Sequence, residues 1–137
     1  MRHIYLDYNA TTPIAPSVVE AMLPFLKEHH GNPSSSHSLG RACQEAIAAA
    51  REGVATLLGC DDYEVVFTSC GTESNNLAVK GIMMNDPPAS GGHLIISAIE
   101  HPAITEPAKF LQALGYAVTT VGCSRSGVVD PDDVAKG

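Results

Sequence analysis

The sequence predicts an α/β fold: a mainly parallel sheet with flanking helices. Three observations predict it. Apolar runs at 65–67, 93–98 and 116–121 read as strands, stretches of helical periodicity lie between them, and Gly-, Pro- and Ser-rich segments punctuate the joins. Strands alternating with helices at this spacing imply right-handed βαβ units and a sheet covered on both faces. Ligands of such sheets sit at the carboxyl ends of the strands. Two polar loops converge on that edge, 69–76 after the first strand and Glu100-His101 after the second.

Taken in order, residues 4–8 form a strand-like start that Pro13 and Pro16 cannot continue, because proline lacks the amide hydrogen. From Ser17, the apolar residues Val18, Val19, Met22, Leu23 and Leu26 recur at helical spacing to about His29, with a bend at Pro24. The run G-N-P-S-S-S at 31–36 is a turn. Ser38 then caps an Ala-rich helix whose body, 42–58, stops at Gly59. After the strand at 65–67, Leu77 opens a helical pattern that continues through Val79 and Ile82 and fades at 81–84. Residues 85–92 (N-D-P-P-A-S-G-G) read as a surface loop. The strand at 93–98 is apolar through its centre, as expected of a strand buried on both sides. A helix containing Pro107 follows Pro102 and ends at Gly115; then come the third strand, a short extension at 127–129, and a helix started by Asp130-Pro131.

The 137 residues suffice for one core and are short for two comfortable domains. Eight basic against fifteen acidic residues give a net charge of −7 with no Lys/Arg cluster, which argues against nucleic acid or an anionic membrane as partner. No apolar run is long enough to cross a bilayer, and Asp7 interrupts the start before a secretory apolar region forms. Cys43, Cys60, Cys70 and Cys123 form no C-x-x-C pair, so a reduced cytoplasmic or organelle-matrix setting is expected.

The loop F-T-S-C-G-T-E-S-N-N at 67–76 precedes a helix, whose first turn leaves backbone N–H groups without internal partners and carries partial positive charge. Gly71 admits an oxygen close to the backbone, while Thr72 and Ser74 offer hydroxyl donors. An anion site and a plain capped helix are both consistent with this pattern; neither G-x-G-x-x-G nor G-x-x-x-x-G-K-[ST] is present. Glu73 would repel a phosphate if it pointed inward, so it is expected to point away. His101, beside Glu100 at a strand end, is a candidate for proton transfer or for stacking on a planar ligand; the competing reading is a loop histidine that caps the next helix. His29, His30, His37 and Cys43 lack a metal-ligand spacing, and no metal site is assigned. Cys70 sits where a thiolate is favoured, but a small buried thiol packed under the loop is the favoured account.

Four stretches, Y-L-D-Y-N-A-T-T-P (5–13), G-N-P-S-S-S-H (31–37), F-T-S-C-G-T-E-S-N-N (67–76) and E-H-P-A-I (100–104), resemble the cysteine desulfurases in order and spacing. These are pyridoxal-phosphate (PLP) enzymes of the class V aminotransferase group, with selenocysteine lyases close by. The resemblance implies part of a fold-type-I large domain, in which Gly71 and Thr72 bind the cofactor phosphate and His101 stacks over the pyridine ring and shuttles protons. It implies L-cysteine as substrate, alanine and a persulfide as products, sulfur-acceptor proteins for iron–sulfur cluster or thio-nucleotide synthesis, and a homodimer in the complete enzyme. The chain then divides into an amino-terminal segment and helix (1–30) and an incomplete cofactor-binding large domain (31–137), without the C-terminal small domain. Cys70 stands where the family pattern leads one to expect glycine, and Lys27, Lys80, Lys109 and Lys136 do not match the Schiff-base lysine motif. The expectation is therefore the amino-terminal part of a desulfurase, inactive by itself. The alternatives are a selenocysteine lyase, a non-enzymatic interaction fragment, or a binder of another anion.

Overall fold

The computed structural model describes residues 3–90 and 92–137. Readings that rest on Met1, Arg2 or Gly91 lie outside the described residues. By internal contacts the chain divides into two units, Met1–Val66 and Phe67–Gly137.

In the first unit, α1 (Pro16–Lys27) starts on a proline whose missing N–H costs nothing at that position, and it continues past Pro24. Its apolar residues have the helical spacing expected, yet none of α1 is buried. The longer α2 (Ser38–Leu58) buries Gly40, Cys43 and Ala55. Its cap is His37, not the expected Ser38: the imidazole Nδ1 accepts from the Gly40 N–H at 3.2 Å. Gly59 ends α2 in the left-handed region, φ 70°, where glycine carries no Cβ penalty. A 3-10 turn at Asp62–Glu64 follows, and Arg51 of α2 donates to the Val65 carbonyl.

Three expected strands are absent from the described residues. Residues 3–7 are irregular and close into a turn, with Ala10 N–H bonded to the Asp7 carbonyl at 3.1 Å. Residues 65–68 join no ladder, although Val65 is extended (φ −88°, ψ 121°). Residues 124–128 form a tight turn, with Ser124 N–H reaching the Val128 carbonyl at 2.8 Å. A strand is completed by the neighbour that accepts its hydrogen bonds, so local composition cannot establish one.

In the second unit, β1 (His93–Ser97) and β2 (Ala117–Val121) pair in parallel, His93 beside Ala117 through Ser97 beside Val121. Between them runs α4 (Pro102–Ala113). Its stripe Ala103, Pro107, Ala108 and Leu111 is buried, with Leu111 fully enclosed. Burying that leucine contributes about 2 kcal/mol. Thr105, Ala108 and Gln112 of α4 face Ile96, Val118 and Thr120 on one side of the sheet. On the other side, Gly137, just after α5 (Pro131–Lys136), lies against Thr119 and Ile95. Gly115, φ 95°, stops α4, and the Tyr116 hydroxyl donates to the Asp86 carbonyl at 2.9 Å, tying the preceding loop to the start of β2.

The remaining helix of this unit, α3 (Gly71–Met83), begins six residues before the expected Leu77 and packs against α4. Gly, Thr, Ser and Asn are weak helix formers, but here their side chains bond back onto the turn. Ser74 Oγ donates to the Cys70 carbonyl at 3.3 Å, and Asn76 Nδ2 to the Thr72 carbonyl at 3.0 Å. Much of the expected polar loop is therefore the first two turns of a helix.

Candidate functional site

The α3 start is built from short polar side chains that satisfy one another. Thr68 Oγ1 and Ser74 Oγ lie 2.6 Å apart, and both reach the Cys70 carbonyl. Glu73 does not point away as expected. Its Oε2 accepts the Ser69 N–H and the Ser69 hydroxyl, each at 2.6 Å. The Ser69 hydroxyl, then the Ser69 N–H, hold this carboxyl below its ordinary value, against a smaller opposing desolvation.

One hydroxyl is left over. Thr72 Oγ1 makes no hydrogen bond among the described residues, and the amide N–H groups of Gly71 and Thr72 close none of ordinary geometry there, the Thr72 N–H facing the Cys70 thiol. Nothing lies within 4 Å of where a Cβ on Gly71 would be, so the backbone there is open to an approaching oxygen. Cys70 is the N-cap residue and is exposed. The Glu73 N–H chiefly, then the Ser69 hydroxyl and the Thr72 N–H, pull its thiol below the ordinary value, with desolvation and the Glu73 charge opposing. No amide of α3 closes a side-chain cap bond of ordinary geometry on Sγ, and the Ser69 hydroxyl lies 3.8 Å from it.

His101 is the N-cap of α4. Its Nδ1 accepts the Ala103 N–H at 3.0 Å, which leaves the proton of a neutral ring on Nε2. Pro102 at the first helical position has no N–H to satisfy. Nearby, Ser97 Oγ at the end of β1 donates to Glu100 Oε1 at 2.8 Å.

Of the three site residues read from the sequence, Thr72 and His101 line one groove of about 370 Å³. Gly71 stands one residue before it and is not part of its lining. The groove also takes in Asn76 and Lys80 from α3 and Glu106 from α4. Sequence reasoning missed these because it started α3 at Leu77; once the helix starts at Gly71, Thr72, Asn76 and Lys80 recur every four residues on one face. The Lys80 ammonium lies over the Phe110 ring, 4.7 Å from its centroid.

This arrangement defines an α/β unit in which an open helix start and an imidazole line one groove. The model of the class-V aminotransferases matches residues 4–137, and the chain belongs to that family. It is 50% identical over 135 residues to the cysteine desulfurase IscS of Dictyoglomus turgidum, covering 98% of this chain and 34% of that protein. It is 45% identical over 134 residues to a cysteine desulfurase of a Nostoc species, covering 98% of this chain and 33% of the relative. Among solved structures, a NifS-like protein matches with TM-score 0.89 and 37% identity over 98% of this chain and 37% of that one. A structure titled SspA in complex with cysteine matches with TM-score 0.89 and 38% identity over 97% of this chain and 38% of that one. The α/β reading with a parallel sheet and the family resemblance are thus borne out. The chain spans about a third of the length of the curated relatives it matches.

Proposed function

We propose that this chain supplies the phosphate- and ring-binding part of a PLP-dependent cysteine desulfurase, which converts L-cysteine to alanine and passes on a persulfide sulfur. One observation carries the reading: in a class-V aminotransferase chain, the unused Thr72 hydroxyl and the His101 imidazole line a common groove, next to the open amides of Gly71 and Thr72. This donor set fits a phosphate ester. When bound, PLP supplies an electron sink for the substrate Cα. Gly71 and Thr72 hold the phosphate oxygens with backbone N–H groups and one hydroxyl. His101, its Nδ1 tied to Ala103, offers its ring face to the pyridine and exchanges a proton at Nε2.

The cysteine desulfurase names of the relatives favour cysteine over selenocysteine. A homodimer, sulfur-acceptor proteins and a cytoplasmic or organelle-matrix setting belong to the same proposal. Lys80 lies in the groove but is engaged by Phe110, and none of Lys27, Lys80, Lys109 and Lys136 stands in the family's lysine motif. The 137 residues therefore bind the cofactor without turning over cysteine.

The test compares binding of PLP and of pyridoxal, which lacks the phosphate, by fluorescence titration, with inorganic phosphate as competitor. PLP is expected to bind and be displaced by phosphate, and pyridoxal to bind weakly. Equal binding of the two overturns the assignment, and alanine released from L-cysteine by this chain overturns the prediction of inactivity.

A further inference from the structure

We infer that Glu73 is a positioning residue for the anion cup: by clamping Ser69 it fixes the turn that leaves the Gly71 and Thr72 donors open. The inference deepens the cofactor reading and rests on it. A carboxylate next to an anion site is ordinarily a liability, since like charges repel. Here the geometry alters that. Glu73 Oε2 takes both donors of Ser69, the N–H and the hydroxyl, at 2.6 Å each. Two charge-assisted hydrogen bonds on one oxygen spread its charge over the turn and turn that oxygen toward Ser69.

The clamp also sorts the donors. Without Glu73, the Ser69 N–H and hydroxyl are freed, and the hydroxyl can compete as a local cap for the α3 amides. With it, Ser69 is occupied, and the Thr68 and Ser74 hydroxyls share their two hydrogens between each other and the Cys70 carbonyl. Every short polar side chain from Thr68 to Ser74, Thr72 excepted, is then engaged inside the turn. Glu73 and Ser69 form a clamp of loop onto helix, distinct from the capping box, because the acceptor reaches the residue before the N-cap Cys70.

The experiment uses the full chain with Glu73→Ala, Glu73→Gln, Ser69→Ala and the double variant S69A/E73A. Two measurements are made: the dissociation constants of PLP and pyridoxal, and the exchange rate of the Ser69 amide hydrogen without ligand. E73A is expected to weaken PLP binding by about tenfold, the order of a lost charge-assisted hydrogen bond, with pyridoxal unchanged. E73Q, which keeps an acceptor, recovers part of this, and S69A/E73A is no weaker than E73A because both changes break one unit. Exchange at Ser69 accelerates in E73A, while amides within α4 keep their parent rates.

PLP binding by E73A as tight as the parent's, or tighter, overturns the inference, since the carboxylate would then only repel. Unchanged Ser69 exchange in E73A overturns the clamp itself. If the parent fails to prefer PLP over pyridoxal, the cofactor reading falls and the positioning role with it. Accelerated Ser69 exchange in E73A would then support the clamp alone, so the two failures are told apart.

Discussion

The starts of α3 and α4 are made from similar materials and end in opposite states. Each is an N-cap residue at the head of a helix of similar length, carrying a side chain suited to chemistry, Cys70 in one and His101 in the other. The start of α4 is closed: Pro102 has no N–H to offer, Nδ1 of His101 takes the Ala103 N–H, and four residues of the helix are buried. The start of α3 is open. No side chain caps it, none of its residues is buried, and its first two amides close no hydrogen bond of ordinary geometry among the described residues. A helix start closed by an imidazole orients that ring, and one left open presents donors to an anion. Thr72 and His101 bring the two starts to one groove.

The contrast breaks most severely where α4 is anchored. Leu111→Ala opens a cavity under a fully enclosed side chain and is expected to cost about 2–5 kcal/mol, read as a lower urea midpoint. An exposed α3 position such as Leu77→Ala, by comparison, changes stability by about 0.5 kcal/mol or less. Equal losses at the two positions would deny that α4 is the anchored helix.

Removing the donor that distinguishes the open start comes next. Thr72→Val keeps the shape and deletes the hydroxyl; PLP affinity is expected to fall by roughly tenfold, with thermal stability held. At the closed start, two substitutions separate cap from ring. His101→Asn keeps a side-chain acceptor at the N-cap and loses the imidazole, so the unfolding midpoint stays while PLP binding weakens. His101→Ala loses both, with a further cost of about 1 kcal/mol in stability. If Asn restores PLP binding as well as stability, His101 is only a cap.

How far the sequence foretold this contrast varies by residue, for physical reasons. The stops at Gly59 and Gly115 were legible because a left-handed residue after a helical run is a local matter, and both glycines have positive φ. So were β1 and β2, whose apolar runs find one another in parallel register. The strand expected at 65–67 was not, because Val66 and Phe67 are exposed at 63% and 49% and residues 65–68 join no ladder among the described residues. Thr72 and His101 could be named from their loops. The direction of Glu73 could not, since charge repulsion from a phosphate and attraction to Ser69 oppose one another, and only the 2.6 Å contacts decide between them. Glu73 follows Ser69 at i+4, and that spacing was the signal available.

Acid gives a milder way to unlatch the open start. Hydrogen bonds from Ser69 lower the folded-state carboxyl of Glu73, so its ionised form favours the native turn. That contribution is fully present above the ordinary carboxylate value and is lost as pH falls through the lowered folded value. An acid titration should therefore show the protection of the Ser69 amide, the slowing of its exchange relative to an unstructured peptide at the same pH, falling below the ordinary carboxylate range, with E73Q showing no such step.

The smallest effect concerns Cys70, the other residue of that start. Its thiol is lowered mainly by the Glu73 N–H. Near neutral pH its thiolate fraction is then raised above that of an ordinary cysteine, and iodoacetamide should alkylate Cys70 a few-fold faster than a cysteine in a short unstructured peptide, with the exposed Cys123 serving as the internal control. Inorganic phosphate draws on the Thr72 N–H that also faces the Cys70 thiol, and its charge beside that thiol disfavours the thiolate, so it should slow Cys70 without slowing Cys123, as read by peptide mass spectrometry. Equal slowing of the two would mean that phosphate acts on the reagent or on the whole chain, and that the α3 start is no more open to an anion than the α4 start.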